Sequence, residues 1–443
     1  IFYGIDNVPR TAITMGLGAL LKAKRIILMA WGEEKATVIK DIVEGEENSA
    51  TPATCLQKHP NIEVVVDEGA SQELTRVKTP WLVGTCLWPE RFIRTAVLWL
   101  CRKVDKPILK LTYQDYIDNR LGQLLEATGQ TYDMINIQVF NDLQHTISGW
   151  PGGKPNADDS TRPERATPYP KRVLIFSPHP DDDVISMGGT FIRLIAQGHD
   201  VHVAYQTSGN IAVLDDIVLQ TLDTARECGF VDRYSEVQEI INNKKKGEAE
   251  PIELRRLKGS IRRAEAKAAC RQMGLTDPSH VHFLNLPFYE TGGVKKGLLT
   301  DKDIQIVVDL LREIKPHQIY AAGDLSDPHG THRVCIEAVL AAMEVVQDEE
   351  WVKECRLWLY RGAWQEWDLD MVDMAVPLSP DEVIQKRHAI YRHLSQKDIV
   401  PFPGEDKREF WQRAEERNQN TARLYDKLGM AEYQAIEVFV RLF

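Results

Sequence analysis

One eleven-residue stretch, Val173-Leu174-Ile175-Phe176-Ser177-Pro178-His179-Pro180-Asp181-Asp182-Asp183, restricts what this chain can fold into more than any other. Four apolar residues in succession, without polar alternation, suit a strand covered on both faces, as in a parallel sheet. Behind them follow one imidazole and three carboxylates. In an open α/β sheet, ligands bind at that carboxyl end of the strands. Adjacent carboxylates raise one another's pKa and destabilise the fold unless positive charge sits among them. A divalent metal supplies that charge. His and Asp offer the nitrogen and oxygen ligands that zinc takes, and a neighbouring Asp stays free to act as a base.

A second stretch has the same construction. Gln318-Ile319-Tyr320-Ala321-Ala322 runs into Gly323-Asp324-Leu325-Ser326-Asp327-Pro328-His329-Gly330-Thr331-His332-Arg333, and a helical pattern follows over 334–344. Asp327 or Thr331 is expected to cap that helix, which puts His329 and His332 on one face of its first turn. Either histidine alone reads as a polar loop residue. Two strand ends in one chain, both closing in His and Asp, favour a shared metal centre.

Pro178-His179-Pro180-Asp181-Asp182-Asp183 and Asp327-Pro328-His329-Gly330-Thr331-His332 together resemble the signature of the PIG-L (LmbE-like) zinc N-deacetylases, which remove acetyl groups from N-acetylglucosamine-type sugars. The resemblance covers roughly residues 171–443 and implies a Rossmann-like α/β domain. It makes His179, Asp182 and His332 the zinc ligands, with Fe2+ or Co2+ as other occupants. Asp181 becomes the general base, and His329 the group that stabilises or protonates the tetrahedral species. An arginine at the place of Arg262 helps hold substrate in that family. The competing reading of Arg262 is an i to i+3 salt bridge with Glu265 on an exposed helix face. The family's usual Glu after the two aspartates is here the shorter Asp183. Gly188-Gly189 are expected to let the following helix approach the metal loop.

Residues 7–79 alternate helix and strand signals: a helix over 11–21, a strand over 25–30, a helix over 33–44 and a strand over 63–67. Lys35 falls near a helix amino end, a reasonable place for an anion. Pro9-Arg10-Thr11-Ala12-Ile13-Thr14-Met15-Gly16-Leu17-Gly18, Ala30-Trp31-Gly32-Glu33-Glu34-Lys35-Ala36, Cys55-Leu56-Gln57-Lys58-His59-Pro60 and Asp67-Glu68 are similar to the carboxyl-terminal third of glucosamine-6-phosphate deaminase (NagB-like). The resemblance implies that Lys35 contacts a sugar phosphate. The residues that open the ring and deaminate lie earlier in that family. Residues 1–78 are therefore expected to be a truncated NagB-like domain, in keeping with a first residue, Ile1, that is not Met.

Residues 79–149 read as a helical connector with helices over 89–102 and 113–128, in which Trp81, Trp88 and Trp99 are packing residues. The Pro/Gly-rich stretch 150–170 reads as an extended, mobile linker. Beyond it, 211–260 looks like a helical insertion, and His388 and His393 read as surface or packing histidines unconnected to the metal set. A net charge of −11 argues against nucleic acid and anionic membranes as partners. Seven scattered cysteines without a CxxC pair suit reduced thiols in a cytoplasmic protein. A homo-oligomer is expected.

The function these readings favour is zinc-dependent hydrolysis of the N-acetyl amide of an aminosugar or aminosugar phosphate. Fusion to a deaminase makes chemical sense, because deacetylated glucosamine 6-phosphate is the deaminase's substrate. The alternatives are a glucosamine-6-phosphate deaminase acting in the full-length chain and a non-catalytic sugar-binding protein. Two His and one carboxylate also suit a non-haem iron oxygenase, although the Asp181 base speaks against it.

Overall fold

The computed structural model describes residues 11, 13–156, 167–230, 232–244, 249–293, 295–324, 330–362, 365–397 and 408–442. The chain divides into two compact units, one of residues 8–143 and one holding residues 144–443.

In the first unit, β1 (Ile26–Ala30) and β2 (Ile62–Val66) pair in parallel from Ile26↔Ile62 to Ala30↔Val66. The crossover helix α1 (Ala36–Glu44) buries Ala36, Ile39 and Ile42, a spacing that keeps them on one side. Of the helix expected over 11–21, Leu17–Leu20 alone is helical among the described residues. It buries no residue and has no side-chain cap, so nothing lengthens it. Helix α2 (Glu90–Val104) packs Ile93, Ala96, Val97, Leu100 and Cys101 inward. Trp81 is buried with its ring 5.9 Å from Trp88 and 5.3 Å from Trp99, which is packing, as anticipated. The expected helix over 113–128 is broken into α3 (Tyr113–Asp118) and α4 (Gly122–Thr128), because Arg120 lies at φ 61°, outside any right-handed helix. Helix α5 (Tyr132–Thr146) follows.

The second unit is α/β. Its strands are β3 (Arg172–Ser177), β4 (Asp200–Tyr205), β5 (Val281–Phe283), β6 (Gln318–Ala322), β7 (Arg356–Tyr360), β8 (Met374–Leu378) and β9 (Ala435–Arg441). They form one sheet in the order β5-β4-β3-β6-β7-β9-β8, with the first five parallel and β9 antiparallel to both its neighbours. The helices are α6 (Asp182–Ala196), α7 (Asp215–Glu227), α8 (Tyr234–Asn242), α9 (Ile252–Met273), α10 (Asp301–Ile314), α11 (Thr331–Val346), α12 (Pro380–Ile390) and α13 (Phe410–Lys427). Val173 and Ile175 belong to a core with residues of α6, α9, α12 and α13. Leu174 and Phe176 belong to the core on the other face, under α10 and α11. Covered on both sides, β3 carries no polar residue between Arg172 and Ser177. The anticipated insertion is α7, α8 and the start of α9, closed around Val213, Val218, Val237 and Leu254.

The beginning of the expected linker is neither extended nor loose. Pro151, Gly152 and Gly153 are buried, and Gln318 Nε2 donates to the Pro151 carbonyl at 3.0 Å. A Cβ on Gly152 would collide with the His199 ring. Glycine and a satisfied carbonyl make this piece part of the core, while 157–166 lie outside the described residues.

Two histidines hold the start of β3. His199 Nδ1 accepts from Lys171 N at 3.0 Å, and His317 Nδ1 accepts from Arg172 N at 2.9 Å. An accepting Nδ1 carries no proton, so protonation costs the bond. Burial pushes both rings from 6.5 down to about 4. The unfolded chain, with the higher pKa, therefore takes the proton first. Stability is expected to be complete above about pH 6.5 and to fall as the pH drops toward 4. Melting temperatures measured across that range check this, and a flat profile would contradict it.

Helix α6 is interrupted at Met187 (φ −137°, ψ 25°), and both sides of the break are served by distant side chains. Arg417 of α13 donates to the Ile185 and Ser186 carbonyls at 3.2 Å each. Glu437 of β9 accepts from Gly189 N at 3.0 Å, Thr190 N at 2.7 Å and Thr190 Oγ1 at 2.6 Å. The half-helix ending here thus meets a cation and the one starting here an anion, as the dipoles ask. Lys386 of α12 reaches Glu437 at 2.6 Å and Asn418 at 2.8 Å, all buried. Gly188 and Gly189 make room for Lys386 and Leu378 rather than for the metal loop: Cβ atoms there would come within 3.0 Å and 2.5 Å of those side chains.

Candidate active site

Register brings the two sequence stretches together. Val173 pairs with Gln318 and Ile175 with Tyr320, so β3 and β6 end side by side. After β3 the chain runs to β4 and β5 on one side, then returns to β6 and β7 on the other. The gap at the carboxyl ends of β3 and β6 is the topological switch point of the sheet.

His179 and Asp182 come from the β3 end and His332 from the first turn of α11. His179 N donates to Asp182 Oδ2 at 2.8 Å, which folds the loop back onto the α6 terminus. Asp182 Oδ2 lies 3.2 Å from His179 Nδ1 and 3.2 Å from His332 Nε2, and those nitrogens are 3.3 Å apart. An ion about 2.1 Å from each of two donors at the tetrahedral angle holds them roughly 3.4 Å apart. Two imidazole nitrogens and one carboxylate oxygen are therefore spaced as on one triangular face of a tetrahedral coordination sphere, a candidate metal site. Burial alone would raise the Asp182 pKa, but His332 and His179 overcome it and hold the carboxyl well below its usual range.

Asp181 stands at the N-cap position of α6, and its Oδ1 is 3.0 Å from Arg262 Nη2. Arg262 lies in mid-α9 and is 1% exposed. Its Nε and Nη1 have no hydrogen-bond partner among the described residues. The alternative of an exposed Arg262 and Glu265 pair is overturned, since both are buried and the Glu265 carboxylate accepts from Ser395 N and Oγ at 2.6 and 2.7 Å. Gly209, at φ 62°, lets the chain pass between Pro180 and Arg262, where a Cβ would be within 3.0 Å of both. Asp183 faces away from the triangle. It accepts from Ser177 Oγ at 3.2 Å and Tyr205 OH at 3.0 Å, while burial, with the neighbouring carboxylates adding, pushes it up to about 7.

His329 and Asp327 lie outside the described residues. The N-cap residue of α11 is Gly330, at φ 67°, a conformation that glycine adopts without strain, and Thr331 is the first residue of the helix rather than its cap. Lys35, in the other unit, sits at the foot of α1, half-exposed and 3.2 Å from Glu34. Missed from sequence is His393. It is buried, lines a small cavity with Asp181, Ile185, Phe410 and Trp411, and neither ring nitrogen has a hydrogen-bond partner among the described residues. Burial pushes it down to about 4. No motif announces it, because it arrives through α12.

A family model described as GlcNAc-PI de-N-acetylase (PIG-L) matches residues 174–343. A glucosamine-6-phosphate deaminase-like protein of Bacteroides thetaiotaomicron is 52% identical over 452 residues, spanning 99% of this chain and 68% of its own length. The glucosamine-6-phosphate deaminase of Lactobacillus helveticus is 49% identical over 69 residues, 16% of this chain and 29% of its own. Among solved structures, N,N'-diacetylchitobiose deacetylase from Pyrococcus horikoshii aligns over 71% of this chain and 93% of its own, at 18% identity and a TM-score of 0.40. The chain thus spans about two thirds of the first relative and under a third of the second.

Proposed function

The chain belongs to the family of the Bacteroides protein, with a PIG-L domain at residues 174–343 behind a glucosamine-6-phosphate deaminase-like stretch of about 70 residues, and from that premise we propose that it is a zinc-dependent N-deacetylase of N-acetylglucosamine-type aminosugars. What carries the reading is the triangle of His179, Asp182 and His332 donors, 3.2 to 3.3 Å on each edge, next to a carboxylate that stands outside it.

Those three residues would hold the ion, which when bound acidifies a water and polarises a carbonyl oxygen. Asp181 takes the proton of the attacking water as its oxygen bonds to the amide carbon. Arg262 fixes Asp181 Oδ1 and leaves Oδ2 to do so. The proton then passes to the amide nitrogen as the carbon–nitrogen bond breaks, giving acetate and a free amine. His329 is assigned the charge that builds on the carbonyl oxygen. Lys35, in the other unit, is assigned a sugar phosphate bound there, and this kinship favours a phosphorylated aminosugar among the substrates: the amine that deacetylation releases is what glucosamine-6-phosphate deaminases consume.

Metal-loaded protein is expected to release acetate from N-acetylglucosamine, its 6-phosphate or an N-acetylglucosaminyl conjugate. Silence on all three would end the proposal. Chelator-stripped protein is expected to be inactive and to recover with Zn2+, whereas His332→Ala should not recover. The match to deaminases supports a second activity, ammonia release from glucosamine 6-phosphate by the full-length protein, and a chain restored at its amino end tests it.

A further inference from the structure

We propose that Asp200, His202 and His280 form a second divalent-metal site, at the far end of the sheet from the first. Asp200 and His202 are alternate residues of β4 and share a face. They pair with Arg172 and Leu174 at the beginning of β3. Leu174 precedes Ser177 by three residues, roughly 10 Å of strand, and the first centre lies beyond that. His280 ends the short turn Pro278–His280 that delivers the chain into β5.

One donor atom from each of the three residues lies within 4.8 Å of the other two. Asp200 Oδ1 is 3.4 Å from His202 Nε2 and 3.7 Å from His280 Nδ1, against the roughly 3.4 Å that a tetrahedral ion sets. The other nitrogen of His202, Nδ1, is 3.0 Å from His282 Nε2, the kind of outer contact that orients a ligating histidine. The His202 and His280 rings are stacked, centroids 4.1 Å apart and 22° between planes. Closing on an ion therefore takes a turn of His280, the more exposed ring, away from the Val201 carbonyl that its Nδ1 meets at 3.1 Å.

Two imidazoles and a carboxylate select a first-row ion such as Zn2+ over Mg2+ or Ca2+. The ion would tie the edge strand β5 to β4.

The test is calorimetric titration of the stripped, intact chain with Zn2+. Wild type is expected to take two equivalents, and His332→Ala one, at this site. His280→Phe, which keeps a ring in the stack, is expected to take one and to retain acetate release. One equivalent in wild type and none in His332→Ala would overturn the proposal. Should His280→Phe not fold, Asp200→Asn serves in its place. Electron paramagnetic resonance of Cu2+ bound to His332→Ala decides independently, with two imidazole nitrogens expected and an oxygen-only signal refuting. These counts do not depend on acetate release, so the deacetylase reading can fail without them.

Discussion

Asp181→Asn is expected to slow acetate release by about 10²- to 10⁴-fold, the usual worth of a positioned general base. The substitution removes the ability to take a proton and little else. Asn Oδ1 can still accept from Arg262 Nη2, which now meets Asp181 Oδ1 at 3.0 Å, so the cap of α6 and the pose of Arg262 should persist. The three donors of the metal triangle are untouched, and the bound zinc content should equal that of wild type. The measurement is kcat with zinc content and unfolding midpoint on the same preparation. A loss below tenfold in folded, metal-loaded protein would take the base role from Asp181. The carboxylate's cavity neighbour His393 would then be the next residue to substitute.

Lys386→Met is expected to cost about 3–5 kcal/mol of stability, the typical effect of leaving one partner of a buried ion pair alone. Burial pulls Lys386 below the usual lysine range, against the attraction of Glu437. Burial would raise Glu437, and Lys386 with the Thr190 donors reverses this. Lys386 Nζ is 2.6 Å from Glu437 Oε1, and without it the carboxylate keeps, among the described residues, its Gly189 and Thr190 donors. Methionine fills the space, which separates loss of charge from loss of packing. Denaturant unfolding measures the change, and a cost under about 1 kcal/mol would mean that the helix-break donors alone hold Glu437.

The convergence of His179, Asp182 and His332 was legible because its pieces are local. A short apolar run, a Pro-bounded His and an Asp in the first helical turn fix the geometry over residues 173–183, and a parallel sheet with a switch point does the rest. His332 followed from its helix even though the cap was misplaced, since any residue starting α11 there aims the first turn at the same gap. Arg262 could be noticed in the sequence, but not its burial: charge in a helix reads as solvated until the packing of α9 is known. His393, Lys386, Arg417 and Glu437 carry no periodicity or motif. They meet residues 185–190 from roughly 200 to 250 positions away, Lys386 beside Gly188 and His393 beside Ile185, and only tertiary structure reveals such pairings. Lone charged or imidazole side chains on otherwise ordinary helices and strands give no local signal. The doubled glycine at 188–189 was visible, yet its role could be settled only by what fills the space beside it.

The interrupted helix sets a limit on where this polypeptide may be shortened. The stretch matching the PIG-L model stops at residue 343, and a fragment trimmed to it would contain every donor of the triangle but neither Arg417 nor Glu437. Ile185 and Ser186 would lose a donor to their carbonyls, Gly189 and Thr190 an acceptor for their amides, within two turns of Asp182. The smallest piece able to keep its carboxylates aimed therefore extends through the closing strand, and a tag or fusion belongs beyond residue 441 rather than at the edge of the matched segment.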